Sequence, residues 1–440
     1  MNQIIRNLSV LFFASILSVA CQEQATQKTT EKKAEAPKPA EAKPALVGVD
    51  MATKTVSIGA LNDESGPAAV LGKPFALGKR ILAKQINAGG SGILPEGWKI
   101  NLVERDHGYN PGKSEAAYKE IKDKVLFFGT TFGTPNTLPL RPFLKQDNIV
   151  AFPASLSSEM ANFEFTPPVG ASYVSEAHRA LDWALEQAGG ADKLKVAIVY
   201  DQTDYGKDGH KGLMEAAKFH KVNVVAEQTI APGQKDFTAV IAALKKAQAT
   251  HILLTVLPSS TGPILGTAAK MKYMPTWMGN TPSWVDPFFA HPQLPAAVFT
   301  NYYWVNSMPF WGEKLPGMDK FLDAFGKYGK EMGRPDFYIL VSYLHGLSSM
   351  QVLSKAIAAN DLSRAGFLKA LKSLKGWDAD GMIKPQDFTK MPYETTTMTR
   401  ILKPDFVKKS WIVTADYAEP KAWATPAPAA DDKAEKPTTH

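Results

Sequence analysis

The stretch KVAIVYD (195–201), followed by VNVVAEQTI (222–230), DFTAVIAALKKA (236–247) and HILLTVL (251–257), decides the fold. The first, second and last are short apolar runs rich in branched residues, as expected of strands buried on both faces. The third has a helical pattern. Strands alternating with helices in this way imply a parallel sheet flanked by helices. A similar series lies upstream. TVSIGAL (55–61) predicts a strand, and residues 73–87 predict a helix with Phe75, Leu82 and Ile86 on one face. WKINLVE (98–104), KVLFF (124–128) and IVAF (149–152) predict further strands. Two such series imply two lobes. The region from 54 to 418 also exceeds the roughly 250–300 residues at which single cores stop growing.

The ends of the chain read differently. Residues 1–20 combine Arg6, an apolar core (LSVLFFASIL, 8–17) and small residues, the pattern of a secretory signal. This core is too short and wrongly flanked for a spanning helix. Cys21 follows at once and is the sole cysteine, so no intramolecular disulfide is possible. It resembles the lipidated cysteine of bacterial lipoproteins, although Leu17 stands one place further upstream than the usual box has it. The alternative is ordinary cleavage with an incidental free thiol. Gln22 stands where an Asp resembles an inner-membrane retention signal, which leans toward the outer membrane. Residues 21–53 form the lipidated cysteine and a Lys/Glu/Ala/Pro tether. Residues 419–440 are a tail of like composition, and neither has the apolar content to fold.

The net charge is +7 and the pI about 9.0. Export and the interspersing of Lys with Glu, as in KSEAAYKEIKDK, argue against nucleic acid as a partner. Enzyme motifs are lacking as well. Five residues separate Gly66 from Gly72 and Pro74 follows Lys73, so no phosphate loop is formed. There is no nucleophile elbow and no HExxH, and His210 and His220 lack metal-ligand spacing. No catalytic residues, cofactor or metal are expected.

In open parallel sheets ligands sit beyond the carboxyl ends of the strands. The segments there are NDESGPAAVLG (62–72), RDHGYNPGKSEAAY (105–118), GTTFGTPNT (129–137), PASLSSEM (153–160) and VYDQTDYGKDG (199–209). With GQKDFT (233–238) and DFYILVSYLHGL (336–347), this ordered set resembles the type I solute-binding proteins of ABC importers, the Leu/Ile/Val-binding family. The resemblance implies an α/β fold of two Rossmann-like lobes joined by a multi-strand hinge. Lobe 1 would comprise 54–167 and 304–380, and lobe 2 would comprise 168–303 and 381–418. The chain would cross near Pro167–Pro168, Tyr302–Trp304 and Asp380. It also implies capture of a small organic ligand for a permease and ATPase, from a lipid-anchored monomer in the periplasm or on the cell surface. A non-transport sensor or enzyme-activating lipoprotein on the same fold is the alternative.

The resemblance carries a ligand site residue by residue. A serine after the third strand binds the ligand α-carboxylate in amino-acid binders. Phe132, Gly133 or Thr134 holds that place, with Gly133 favoured and Thr134 offering a hydroxyl. Ser155 and Leu156 fall at a small residue and a threonine, so Leu156 removes a hydroxyl. The glutamate that pairs with the ligand ammonium falls at or near Thr281, and the next carboxylate downstream is Asp286. A buried ammonium without a partner is costly, so the expected ligand is an aromatic or apolar acid or amide. Tyr205, Pro258, Ser259 and Trp284 would line the second lobe's side. Phe132 and Trp284 are equally open to a reading as core. His107 reads as capping a turn.

Overall fold

The computed structural model describes residues 46–231, 233–393 and 395–424. The signal segment, Cys21, most of the tether and the tail beyond 424 lie outside the described residues. The tether ends earlier than expected. Val49–Asp50 (β1) pair antiparallel with Thr55–Val56, and Ser57 N–H donates to the Gly48 carbonyl at 2.7 Å. The tail also starts later, because Lys421 N–H donates to Asp182 at 2.8 Å and Trp423 lies 4.8 Å from the His178 ring.

The first series builds β2 (Thr55–Asn62), α1 (Ala69–Asn87), β3 (Lys99–Asp106), α2 (Pro111–Ile121) and β4 (Phe127–Phe132). It continues through α3 (Thr134–Thr137), α4 (Arg141–Asp147), β5 (Ala151–Ala154) and α5 (Ser158–Ala161). β3, β2, β4 and β5 lie side by side in that order, all parallel, with β1 added to β2. α1 begins before the predicted Lys73. The Asp63 carboxylate accepts the N–H groups of Gly66 (2.7 Å) and Ala68 (2.9 Å) and turns the chain into the helix early. β4 is displaced from the predicted KVLFF. It ends in the buried run GTTF, whose Gly and Thr residues read as loop in the sequence.

The second series gives α6 (Tyr173–Ala188), β6 (Val196–Asp201), α7 (Asp204–His220), β7 (Val224–Ile230) and α8 (Thr238–Lys246). β8 (His251–Thr255), α9 (Pro258–Lys270), β9 (Thr276–Gly279) and β10 (Tyr302–Asn306) follow. After β10 come α10 (Met318–Tyr328), α11 (Phe337–Ala358), α12 (Arg364–Leu371) and the small pair β11 (Lys375–Trp377) and β12 (Gln386–Asp387). β13 (Thr399–Asp405) and β14 (Ser410–Ala418) complete the second sheet. Its order is β14-β13-β10-β9-β8-β6-β7, parallel from β10 to β7, with β13 and β14 antiparallel at the far edge.

Strand alternation explains the apolar runs. Ile198, Leu253, Met278 and Val305 face one core, packed with Leu181, Trp183 and Leu213 of α6 and α7. Ala197, Val199, Ile252, Leu254 and Trp277 face the other, with Ile241 and Leu265 of α8 and α9. Both faces are covered, so the strand centres are apolar at successive positions.

The two sheets define two lobes, and the chain crosses between them at three places. The first crossing runs through Pro167–Ala171. The other two fall later than expected. Tyr302–Trp304 pairs with Trp277–Gly279 within the second sheet, so the crossing follows Asn306. Residues 381–393 stay with the first lobe. Phe388 N–H donates to the Leu374 carbonyl, and Tyr393 N–H to that of Ala161, each at 2.9 Å. α10 and α11 pack on α1 and so belong to the first lobe.

Candidate functional site

A cavity lies between the lobes where the carboxyl ends of both sheets meet. From the first lobe come Tyr109 after β3, Phe132–Thr134 after β4 and Ser155–Leu156 after β5. From the second come Tyr205 after β6, Leu257 after β8 and Thr281–Pro282 after β9. α1 contributes Phe75, α6 contributes Tyr173, and α11 contributes Tyr338, Val341 and His345.

At the first-lobe end, Thr134 Oγ1 and Ser155 Oγ are 2.7 Å apart, and Ser157 N–H donates to Ser155 Oγ at 3.2 Å. Gly133 has φ +90°, and a Cβ there would lie 2.6 Å from the Tyr109 ring, so only glycine lets the ring close over this loop. His107 supports the turn. Its Nδ1 accepts Tyr109 N–H at 3.0 Å, and burial pushes the ring down to about 4, leaving it neutral. Phe75 meets Phe132 edge-on at 5.6 Å between centroids.

At the second-lobe end, Tyr205 donates to Asn280 Oδ1 at 2.6 Å, and its ring meets Tyr173 at 4.9 Å. Tyr338 donates to the Thr281 carbonyl at 2.8 Å. Thr281 does not stand alone. Its N–H donates to Glu176 Oε2 at 3.0 Å, and its hydroxyl hydrogen-bonds to Oε1 of the same carboxyl. Glu176, from the first turn of α6, is fully buried, and this burial raises it to about 8, so it is largely protonated at neutral pH. Asp286 is also spent. It accepts from the Trp284 and Trp311 indoles (3.3 and 3.0 Å) and from Phe337 N–H (3.1 Å).

The cavity thus gathers Phe132, Gly133, Thr134, Ser155, Leu156, Tyr205 and Thr281. It does not gather Ser259 or Trp284. Ser259 is exposed at the start of α9, on a separate rim groove. Trp284 is wholly buried among Phe288, Phe299, Tyr302 and Trp411. The sequence reading missed Tyr109, Tyr173, Tyr338 and His345. Tyr338, Val341 and His345 are spaced i, i+3, i+7, a one-face pattern that could have marked them. No Lys, Arg, Asp or Glu lines the cavity. Among the described residues no His/Cys/Asp/Glu group could hold a metal, and no helix is long and apolar enough to cross a membrane.

Residues 55–402 match the family model described as "Periplasmic binding protein". The chain is 24% identical over 360 residues to an amino acid binding protein of Pseudomonas aeruginosa, covering 76% of this chain and 88% of that one. It is 27% identical to the leucine-specific-binding protein of Salmonella typhimurium over 197 residues, spanning about half of that relative (51%) and 44% of this chain. Among solved structures, a fatty acid ABC transporter substrate-binding protein from Thermomonospora curvata superposes with a TM-score of 0.78. It is 23% identical, and the match covers 86% of this chain and 95% of that one.

Proposed function

Since this chain belongs to the periplasmic binding protein family, whose members bind solutes and are not enzymes, we propose that it captures an apolar or aromatic carboxylic acid between its lobes and delivers it to an ABC importer. The observation that carries this reading is the lining. It offers hydroxyls at one end, aromatic and aliphatic walls around them, and no carboxylate free to meet an ammonium. The acid head sits at the Thr134 and Ser155 hydroxyls beside the start of α3, and its apolar body lies against Phe75, Phe132, Tyr173 and Tyr205. Burial of about 100–150 Å² of ligand surface at about 25 cal/mol per Å² favours binding by roughly 3 kcal/mol. Hydrogen bonds to a charged head add about 1.5–3 kcal/mol each. An α-ammonium would add a desolvation cost and would have to displace the proton that Glu176 holds while it is engaged by Thr281.

The three crossings between the lobes serve as a hinge that closes on the ligand. Cys21 is the lipid attachment point, the protein is monomeric and extracytoplasmic, and its partners are a permease and an ATPase. The Thermomonospora relative, a substrate-binding protein of an ABC transporter, supports the permease and ATPase partners, and the place of Cys21 directly after the signal segment supports the anchor. Its test is mass spectrometry of the purified protein for retained ligand, with a thermal-shift screen of aliphatic and aromatic acids, their amides and the amino acids. Acids should raise the melting midpoint. A response confined to amino acids would overturn the proposal.

A further inference from the structure

We propose that Lys79 and His345 form a proton-carrying pair beneath the cavity floor. The pair selects an ionised acid over its neutral amide and takes up a proton as the acid binds. The inference rests on the acid-binding reading above and deepens it.

Lys79 sits beside this cavity, outside its lining. Lys79 is buried on α1, one turn beyond the cavity-lining Phe75. Its Nζ lies 2.9 Å from His345 Nδ1 and donates to the Gly129 carbonyl of β4. His345 lines the cavity and places Nε2 3.0 Å from the Pro153 carbonyl on β5. A carbonyl only accepts, so Nε2 carries the hydrogen and Nδ1 presents its lone pair to the lysine. A continuous path of hydrogen bonds thus runs from the amine through the imidazole at the cavity wall. It ends at the β5 carbonyl beside the loop that holds Ser155.

The surroundings leave the pair without a close counter-charge. From α1 itself the neighbour is the Phe75 ring, 5.4 Å from Nζ. From β4 it is Gly129, whose carbonyl also accepts the Thr130 hydroxyl at 2.9 Å. From α11 only His345 bonds to the amine, and from β5 the Phe152 ring meets His345 edge-on. The one carboxylate that acts on Lys79 is Glu104 of β3, through space. That carboxylate is already bonded to Arg80 Nε and Asn62 Nδ2, each at 3.0 Å. Burial therefore holds the amine well below the ordinary lysine range, and His345 well below the ordinary histidine range.

A carboxylate at the Thr134 and Ser155 hydroxyls would supply the missing charge across His345. It raises the proton affinity of the pair, so binding takes up a proton at any pH between the unliganded and liganded values. The sign follows: acid affinity weakens as pH rises from the unliganded to the liganded value and is level above it, whereas amide affinity stays flat. With an effective dielectric near 20 inside the protein, the preference is on the order of tenfold or more.

The test is titration calorimetry on the full chain with matched pairs, hexanoate against hexanamide and benzoate against benzamide. Each is run across pH in buffers of different ionisation enthalpy. The wild type should favour the acid at least tenfold and show proton uptake. Lys79→Met should bring the acid/amide ratio to within about threefold and abolish the uptake. His345→Gln, which keeps a polar link to Pro153, should shift the pH profile if Lys79→Met does not fold. Absence of proton uptake in the wild type, or an unchanged ratio in a folded Lys79→Met, would overturn the pair while leaving acid capture standing. If neither acids nor amides bind, the capture reading falls and this inference falls with it.

Discussion

Glu176→Gln should change the pH dependence of stability more than stability itself. Glu176 is wholly buried with both oxygens bonded to Thr281, and its folded value is raised from the ordinary 4.5 to about 8. The folded state therefore holds a proton that the unfolded chain releases above 4.5. Stability from this group is fully present below 4.5 and is lost as pH rises through about 8. Each pH unit in that window costs roughly 1.4 kcal/mol, and the whole loss is on the order of 5 kcal/mol. Glutamine has the same shape, accepts from Thr281 N–H and donates to its hydroxyl, so it keeps the bonds without the titration. Urea unfolding of both proteins at intervals from pH 4.5 to 9 checks this. The wild type should lose ground to Glu176→Gln steadily across the window and level off above it. A constant difference between the two curves would refute the reasoning, whatever its size.

Further outcomes follow from single contacts. Gly133→Ala places a Cβ 2.6 Å from the Tyr109 ring and 2.9 Å from Asn136 Nδ2 at φ +90°. It should cost about 1–3 kcal/mol of stability and at least tenfold in ligand affinity, read by melting curves and calorimetry. Asp208 of α7 accepts Ser158 N–H (2.9 Å) and the Ser158 hydroxyl (2.6 Å) across the lobes. Asp208→Ala should open the unliganded protein and weaken binding about tenfold, seen as a larger radius of gyration in small-angle scattering. An unchanged scattering profile would mean that this contact does not hold the lobes.

Much of this was legible in the sequence because parallel strands buried on both faces leave unbroken apolar runs. The loops that follow such strands are then the places to look. Phe132 to Thr134, Ser155 and Tyr205 stand on or beside such loops and line the cavity. Trp284 was not separable from a pocket aromatic, because a large apolar ring suits a cavity wall and a core equally; here it fills the core beneath β10. Ser259 turned outward with its helix. Glu176 was invisible for another reason. It lies 105 residues from Thr281 in the chain, and only the docking of α6 against the loop after β9 brings them together. Lys79 reads as one more helix lysine until α11 covers it. The crossings were misplaced because β10 and the β11–β12 pair have short, unremarkable sequences whose partners are set by tertiary packing.

Leucine and 4-methylpentanoate differ only in the α-ammonium, so titration calorimetry with the two tests the central claim most directly. The account predicts that 4-methylpentanoate binds and that leucine binds at least a hundredfold more weakly, since the ammonium would be buried against Thr281 and a protonated Glu176. Leucine binding as tightly as 4-methylpentanoate, or more tightly, would contradict it.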